Sequence, residues 1–62
     1  MNEEKKNEIL ELLKEGEMPT GKIAYKTNIN QYKAEELLKD LEKERKILSE
    51  KRGRGTYWRL KK

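Results

Sequence analysis

The sequence has neither cysteine nor histidine among its 62 residues. The absence of cysteine excludes disulfide bonds and cysteine-based metal sites. Without histidine, the usual zinc sites, Cys–His pairs and Ser-His-Asp triads are excluded as well. Ser49 has no candidate base, and the carboxylates stand at the spacing of solvated helix surfaces. We therefore expect no metal site, no cofactor, no small-molecule ligand and no enzymatic activity.

Long apolar stretches are also missing from the chain. No run approaches the roughly 18 residues that a membrane span needs, and the charged N-terminus, MNEEKK, lacks the apolar segment of a secretory signal. Both absences predict a soluble, cytoplasmic protein without membrane contact. Charged residues make up 45% of the chain. This bias is typical of thermophile proteins, where ion pairs stabilise more as temperature rises, and equally of any short, highly soluble domain.

The length predicts one domain over residues 1–62, because a chain this short buries only about 60% of the surface that its unfolded form exposes. Apolar spacing predicts helices at about 3–15, 21–27 and 31–44, and a β-hairpin at about 47–60. The third helix has the clearest pattern, with apolar residues at relative positions 0, +3, +4 and +7: Ala34, Leu37, Leu38 and Leu41.

Capping and turn residues mark the ends of these helices. Gly16 is suited to end the first helix. Thr20 and Asn30 are candidate N-caps of the second and third helices, because their side-chain oxygens can accept a backbone hydrogen bond. Asn28, in the turn between them, tolerates a positive φ better than most residues. Pro19 favours an extended link before the second helix.

The last segment has the alternation of two strands. Residues 47–52 and 56–60 flank a flexible tip, Gly-Arg-Gly at 53–55. Alternation directs Trp58 and Leu60 inward. We expect Trp58 in the core, although a half-buried indole whose N–H reaches a phosphate is an alternative. The whole predicted core comprises Ile9, Leu10, Leu13, Ile23, Ala24, Ile29, Ala34, Leu37, Leu38, Leu41, Ile47, Trp58 and Leu60.

Positive charge is concentrated at the C-terminal end. Residues 1–44 carry eight lysines and eleven acidic residues, a net charge of −3, whereas residues 45–62 carry eight basic residues and one acid, a net charge of +7. Such asymmetry favours a polyanionic partner for that end. A disordered basic tail is the alternative, but the apolar residues within this stretch argue against it.

Two stretches resemble the recognition helix and wing of small bacterial and archaeal winged helix-turn-helix regulators. They are residues 30–47, NQYKAEELLKDLEKERKI, and residues 52–60, RGRGTYWRL. The resemblance covers about residues 5–60. It implies an α+β winged helix-turn-helix, with three helices followed by a two-stranded β-hairpin wing, that binds double-stranded DNA in transcriptional control. Asn28 and Arg45 stand where glycine is common in the family, so each must supply a positive φ or a different turn.

On this resemblance the third helix lies in the major groove and presents its N-terminal residues to base edges. Gln31 can bond adenine through two hydrogen bonds, and Glu35 or Glu36 can accept one from cytosine. The alternative is a solvated face on which these acids and Asp40 pair with Lys39 and Lys43. The predicted DNA-binding residues of this helix are Asn30, Gln31, Tyr32, Lys33, Glu35, Glu36 and Lys39.

The basic hairpin is predicted to contact the DNA backbone or minor groove. Arg54 at its tip suits a narrow minor groove, and the flanking glycines allow close approach. Lys22 and Lys26, one turn apart on the second helix, are candidates for phosphate positioning. A solvated, solubilising surface is the alternative for both sets. The predicted residues of the wing and tail are Lys51, Arg52, Arg54, Tyr57, Arg59 and Lys61.

A second function also fits the sequence. A winged helix can serve as a protein–protein connector in a larger assembly, which the acidic middle of the third helix favours and the basic C-terminal end opposes. A weak homodimer through the free face of the first helix, with Leu12 as its candidate contact, is a further possibility, since paired half-sites strengthen DNA binding.

Overall fold

A computed structural model of the chain describes residues 2–61, so the two end residues of the predicted domain lie outside the described part. The three predicted helices are followed by the hairpin, which confirms the α+β winged helix-turn-helix. No helix of the described part is long and apolar enough to cross a membrane. The elements are α1 (Asn2–Leu13), β1 (Met18–Pro19), α2 (Thr20–Thr27), α3 (Gln31–Lys43), β2 (Ile47–Arg52) and β3 (Gly55–Leu60).

The predicted two-stranded wing is confirmed as the hairpin of β2 and β3, and the short strand β1, which was not predicted, adds a third strand to its sheet. The sheet is three-stranded and antiparallel, in the order β1-β3-β2. The link before α2 is extended as predicted, and it pairs with the hairpin at two positions, Met18 with Trp58 and Pro19 with Tyr57. Pro19 is tolerated because β1 is an edge strand. The base of the wing is therefore fastened to the start of α2.

The core lies between the three helices and the inner face of the sheet. Met18 was not predicted as a core residue, because its burial depends on the pairing of β1. Leu10, Leu12, Ile29 and Leu60 are partly buried around the core, which leaves Leu12 with less apolar surface for the predicted dimer contact. The buried apolar residues are Ile9, Leu13, Met18, Ile23, Ala24, Ala34, Leu37, Leu38, Leu41, Ile47 and Trp58.

Trp58 joins the sheet to the helices. Its side chain is 3% exposed, and its Nε1 donates a hydrogen bond of 2.8 Å to Thr20 Oγ1. The predicted N-cap at Thr20 is wrong, because Thr20 is the first residue of α2 and Pro19 occupies the capping position without a side-chain hydrogen bond. The core prediction for Trp58 is confirmed, and its N–H is engaged within the protein rather than presented to a phosphate.

The turn between α2 and α3 forms as the sequence predicts. Asn28 has a φ of 59°. The N–H groups of Asn28 and Ile29 close the end of α2 on carbonyls of the preceding turn, at 3.3 and 3.1 Å. Asn30 then caps α3, and its Oδ1 accepts a hydrogen bond of 2.7 Å from the Lys33 N–H. This geometry fixes the direction in which α3 leaves the turn.

The end of α3 shows how the chain manages without the glycine common in similar proteins. Arg45 adopts a left-handed φ of 64°. The N–H groups of Arg45 and Lys46 donate to the carbonyls of Glu42 and Leu41, at 2.9 and 3.0 Å. These two bonds form a Schellman closure, in which glycine is the usual left-handed residue.

Replacing Arg45 by glycine is expected to raise the free energy of unfolding by about 1 kcal/mol, because glycine avoids the left-handed penalty of about 1–2 kcal/mol. Lys43→Gly removes the same charge from the last helical residue and should lower the free energy by about 1 kcal/mol. Urea unfolding followed by Trp58 fluorescence measures both variants. A less stable Arg45→Gly variant would contradict the expectation.

Candidate nucleic-acid interface

The N-terminal half of α3 presents a polar surface on the side away from the core. Gln31, Tyr32, Glu35, Glu36 and Lys39 are exposed, and the Tyr32 side chain is 88% exposed. The first turn of α3 contains no acidic residue. Its free N–H groups and the helix dipole favour a negative ligand at this end. The predicted recognition residues thus share one exposed face.

The acids of this face are paired differently from the predicted alternative. Lys33 Nζ lies 3.5 Å from Glu36 Oε1, whereas Lys39 forms no ion pair within 4.0 Å in the described range 2–61. Lys33 therefore partly neutralises Glu36, and the ammonium of Lys39 extends from the middle of the helix.

The exposed face of α2 carries Lys22, Tyr25 and Lys26. Tyr25 is 84% exposed. The lysines, predicted as a pair, have different surroundings, because Lys26 borders a groove against α1 that also contains Glu11 and Glu15. Lys22 is outside this acidic groove, which makes it the better candidate for a phosphate contact.

The turn of the hairpin contains two residues, one fewer than the predicted tip. Arg52 pairs with Gly55, so the loop consists of Gly53 and Arg54. Gly53 has a φ of 53° and Arg54 does not have a positive φ. A glycine with positive φ at the first loop position is typical of a type II′ turn, whose twist matches that of the strands. Arg54 is thereby placed, exposed, at the tip of the wing.

Side chains of the wing divide between two faces of the sheet. Ser49 and Lys51 of β2 share the inner face, towards the helices, where Ser49 Oγ donates a hydrogen bond of 2.7 Å to Glu42 of α3. The outer face bears Arg52, Tyr57 and Arg59 together with two acids, whereas Arg54 lies at the tip and Lys61 follows β3. We call this outer-face set the wing network: Glu17, Glu50, Arg52, Tyr57 and Arg59.

Arg52 is the centre of the wing network. Its Nη1 lies 2.6 Å from Glu17 Oε1 and its Nη2 lies 3.0 Å from Glu17 Oε2. Nη2 is also 3.2 Å from Glu50 Oε1, and the guanidinium lies 5.2 Å from the centre of the Tyr57 ring. Glu50 accepts a second contact from Arg59 at 3.4 Å. The hydrogen bond from Arg52 holds the pKa of Glu50 below its usual value, so this carboxylate stays charged to a lower pH than a free glutamate does.

The predicted basic residues of the C-terminal segment therefore fall into two groups. Arg52 and Arg59 are held by acids, whereas Lys51, Arg54 and Lys61 are exposed and make no ion pair within 4.0 Å to another described residue. Sequence reasoning missed Glu17, which lies in the link before β1. Only the pairing of β1 with β3 brings this link beside the hairpin.

Comparison with known proteins identifies a family and related folds. The sequence profile of the family described as FaeA-like protein matches residues 5–62. No curated protein matches the chain significantly. Among solved structures, the homodimeric winged helix-turn-helix DNA-binding domain of a possible ArsR-family regulator from Mycobacterium bovis is 28% identical over 90% of this chain, with a TM-score of 0.87. Lactococcus lactis ZitR in complex with DNA is 30% identical over 92% of this chain, with a TM-score of 0.84.

This chain spans only about half or less of the two bacterial proteins. The chain covers 52% of the mycobacterial domain structure and 41% of ZitR. The Zalpha domain of Carassius auratus PKZ, solved in complex with Z-DNA, matches with a TM-score of 0.89. The match covers 97% of this chain and 97% of that domain. At 15% identity it shows the fold alone. The family match and the resemblance to the bacterial regulators support the predicted non-enzymatic class. They give no support to an archaeal or thermophile origin.

Proposed function

Because the chain belongs to the FaeA-like protein family, and is a winged helix-turn-helix DNA-binding domain similar to bacterial ArsR- and MarR-family regulators, we propose that it binds double-stranded DNA to control transcription. In this proposal residues 1–62 act as one domain, with α3 in the major groove and the wing on the backbone or minor groove. The supporting observation is the uncovered N-terminal turn of α3, which contains no acid and is capped by Asn30.

The residues of α3 have different roles in DNA binding. Gln31 reads a base edge, because its amide can donate and accept at adenine. Tyr32 and Lys33 contact phosphates, since the positive end of the helix dipole lies beside them. Glu35 and Glu36 lie further along the helix, where each is acceptable only opposite a cytosine donor or a neighbouring cation. Lys33 supplies that cation for Glu36, and Lys39, which has no ion-pair partner in the described structure, supplies a phosphate contact.

The wing and α2 would position the protein without reading sequence. Arg54 and Lys51 are the main candidates for backbone and minor-groove contacts, because they are exposed and lack acidic partners in the described structure. Lys22 in α2 and Lys61 after β3, at the base of the hairpin beside Lys46, are further candidates for phosphate contacts. Contacts of this type fix register on the duplex and make binding depend on salt.

Duplex affinity at a series of salt concentrations tests the proposal. Neutralisation of about four to six phosphates gives a slope of about −4 to −5 for log K against log salt. In an NMR titration with duplex, we expect shifts at residues 30–36 and 51–59. Absence of binding at low salt would refute DNA binding. Shifts restricted to the acidic face, and only with a protein partner, would support the connector alternative.

Gln31→Ala is expected to reduce discrimination between a selected and a random duplex by about 1–3 kcal/mol, while non-specific affinity changes little. Asn7→Ala is the matched control, because it removes an exposed amide from α1. Fluorescence anisotropy with both duplexes measures the difference. An equal loss of affinity for both duplexes would show that Gln31 does not read a base.

A further inference from the structure

The wing network brings a carboxylate to a position where a DNA-binding wing would otherwise offer a free arginine. Glu17 meets Arg52 with both carboxylate oxygens, at 2.6 and 3.0 Å, on two nitrogens of the guanidinium. This two-pronged geometry is the one with which arginine also binds a phosphate. Glu17 thus occupies the hydrogen-bonding edge that Arg52 would present to a nucleic-acid backbone.

The pair is also accessible enough to be exchanged. The side chains of Arg52 and Glu17 retain 46% and 32% of their exposure. Exposed ion pairs contribute only about 0–1 kcal/mol, so a phosphate of a polyanion can compete for the same guanidinium. Glu50 has Arg59 as a second partner, whereas Glu17 contacts Arg52 as its ion-pair partner within residues 2–61. Glu17 is therefore the acid that an exchange would release.

Resting on the function proposed above, we propose that Glu17 is a positioning residue that holds Arg52 as a phosphate would, and that duplex binding transfers Arg52 from Glu17 to a backbone phosphate. In the free protein the pair fastens the wing to the link before β1 and stacks the guanidinium over Tyr57. In the complex the phosphate takes this role. Glu17 thereby lowers the affinity of the wing for a polyanion, because a phosphate must displace the carboxylate to bind Arg52.

Glu17→Gln tests the exchange in the full chain with a random duplex. Without the competing carboxylate, we expect duplex affinity at low salt to rise about three- to tenfold. The salt slope should steepen by up to about one unit, because the contact between Arg52 and a phosphate no longer leaves the Glu17 carboxylate without a cation. Glu15→Gln is the matched control, because it removes the same charge from a neighbouring exposed residue that forms no ion pair with Arg52. The control should change affinity less and leave the slope unaltered.

The same two substitutions in an Arg52→Gln variant separate the effect of the Glu17–Arg52 ion pair from the general effect of removing a negative charge. There, Glu17→Gln and Glu15→Gln should have equal effects, and circular dichroism checks that every variant is folded. If Glu17→Gln lowers affinity, or equals Glu15→Gln in the wild-type background, Arg52 remains on Glu17 in the complex and the exchange is wrong, while duplex binding itself stands. If the wild-type protein binds no duplex even at low salt, both the exchange and the proposed function are refuted.

Discussion

Replacing Trp58 by alanine is expected to unfold most of the protein at room temperature. Trp58 is 3% exposed and lies opposite Met18 on one side and Ser49 on the other, at the centre of the sheet. Truncation of a buried aromatic costs about 3–5 kcal/mol, whereas a domain of this length has a total stability of about 3–9 kcal/mol. Circular dichroism and the dispersion of amide NMR signals measure the folded fraction. A cooperative melt close to that of the wild type would contradict the expectation.

Two threonine variants separate the hydrogen bond of Trp58 from its packing. Thr20→Val keeps the shape but leaves the indole N–H without its acceptor, which should cost about 1–3 kcal/mol. Thr27→Val is the matched control. Thr27 is also buried, but its hydroxyl donates to a helical carbonyl, that of Ile23, at 2.7 Å. The loss of stability in Thr27→Val should be smaller, because the Ile23 carbonyl lies within α2 and keeps a helical backbone partner. Equal losses would mean that the Thr20 hydrogen bond does not hold β3 to α2.

Local patterns were sufficient to predict the three helices and the cap of α3, but not the start of α2, where the N-cap predicted at Thr20 was wrong. The apolar spacing of α3 and the cap at Asn30 involve residues within a few positions of each other, so the sequence displays them directly. The left-handed Asn28 was equally predictable, because asparagine tolerates a positive φ. Arg45 was harder, since its side chain gives no reason to favour that conformation; the closure of α3 on Leu41 and Glu42 imposes it.

Long-range pairing accounts for most of what the sequence did not predict. The strand β1 is only two residues long and contains a proline, so no alternation identifies it. Its pairing with β3 buries Met18, directs the Thr20 hydroxyl to Trp58 and brings Glu17 to Arg52. The basic composition of the wing was visible in the sequence, but the division of its cations between acid-bound and unpaired groups required the register of three strands.

The double charge reversal Lys51→Glu/Arg54→Glu is expected to weaken duplex binding by about 100-fold or more at low salt. Each reversal removes a candidate phosphate contact and places a like charge within a Debye length of the backbone, where screening is incomplete. Both side chains are exposed and have no ion-pair partner in the described structure, so the fold should persist. The salt slope should fall by about two units, since two contacts are lost.

A second double reversal distinguishes local contact from total charge. Lys14→Glu/Lys43→Glu also changes two exposed lysines, and either pair of reversals, at two charge units each, takes the net charge from +4 to zero. Lys14 follows the last residue of α1, and Lys43 ends α3 at the opposite end from its capped N-terminal turn. If affinity depends on where the charge lies, this variant should lose much less than the wing variant at every salt concentration. Equal losses for the two proteins would mean that DNA is attracted by net charge alone, and the wing would then have no direct contact with it.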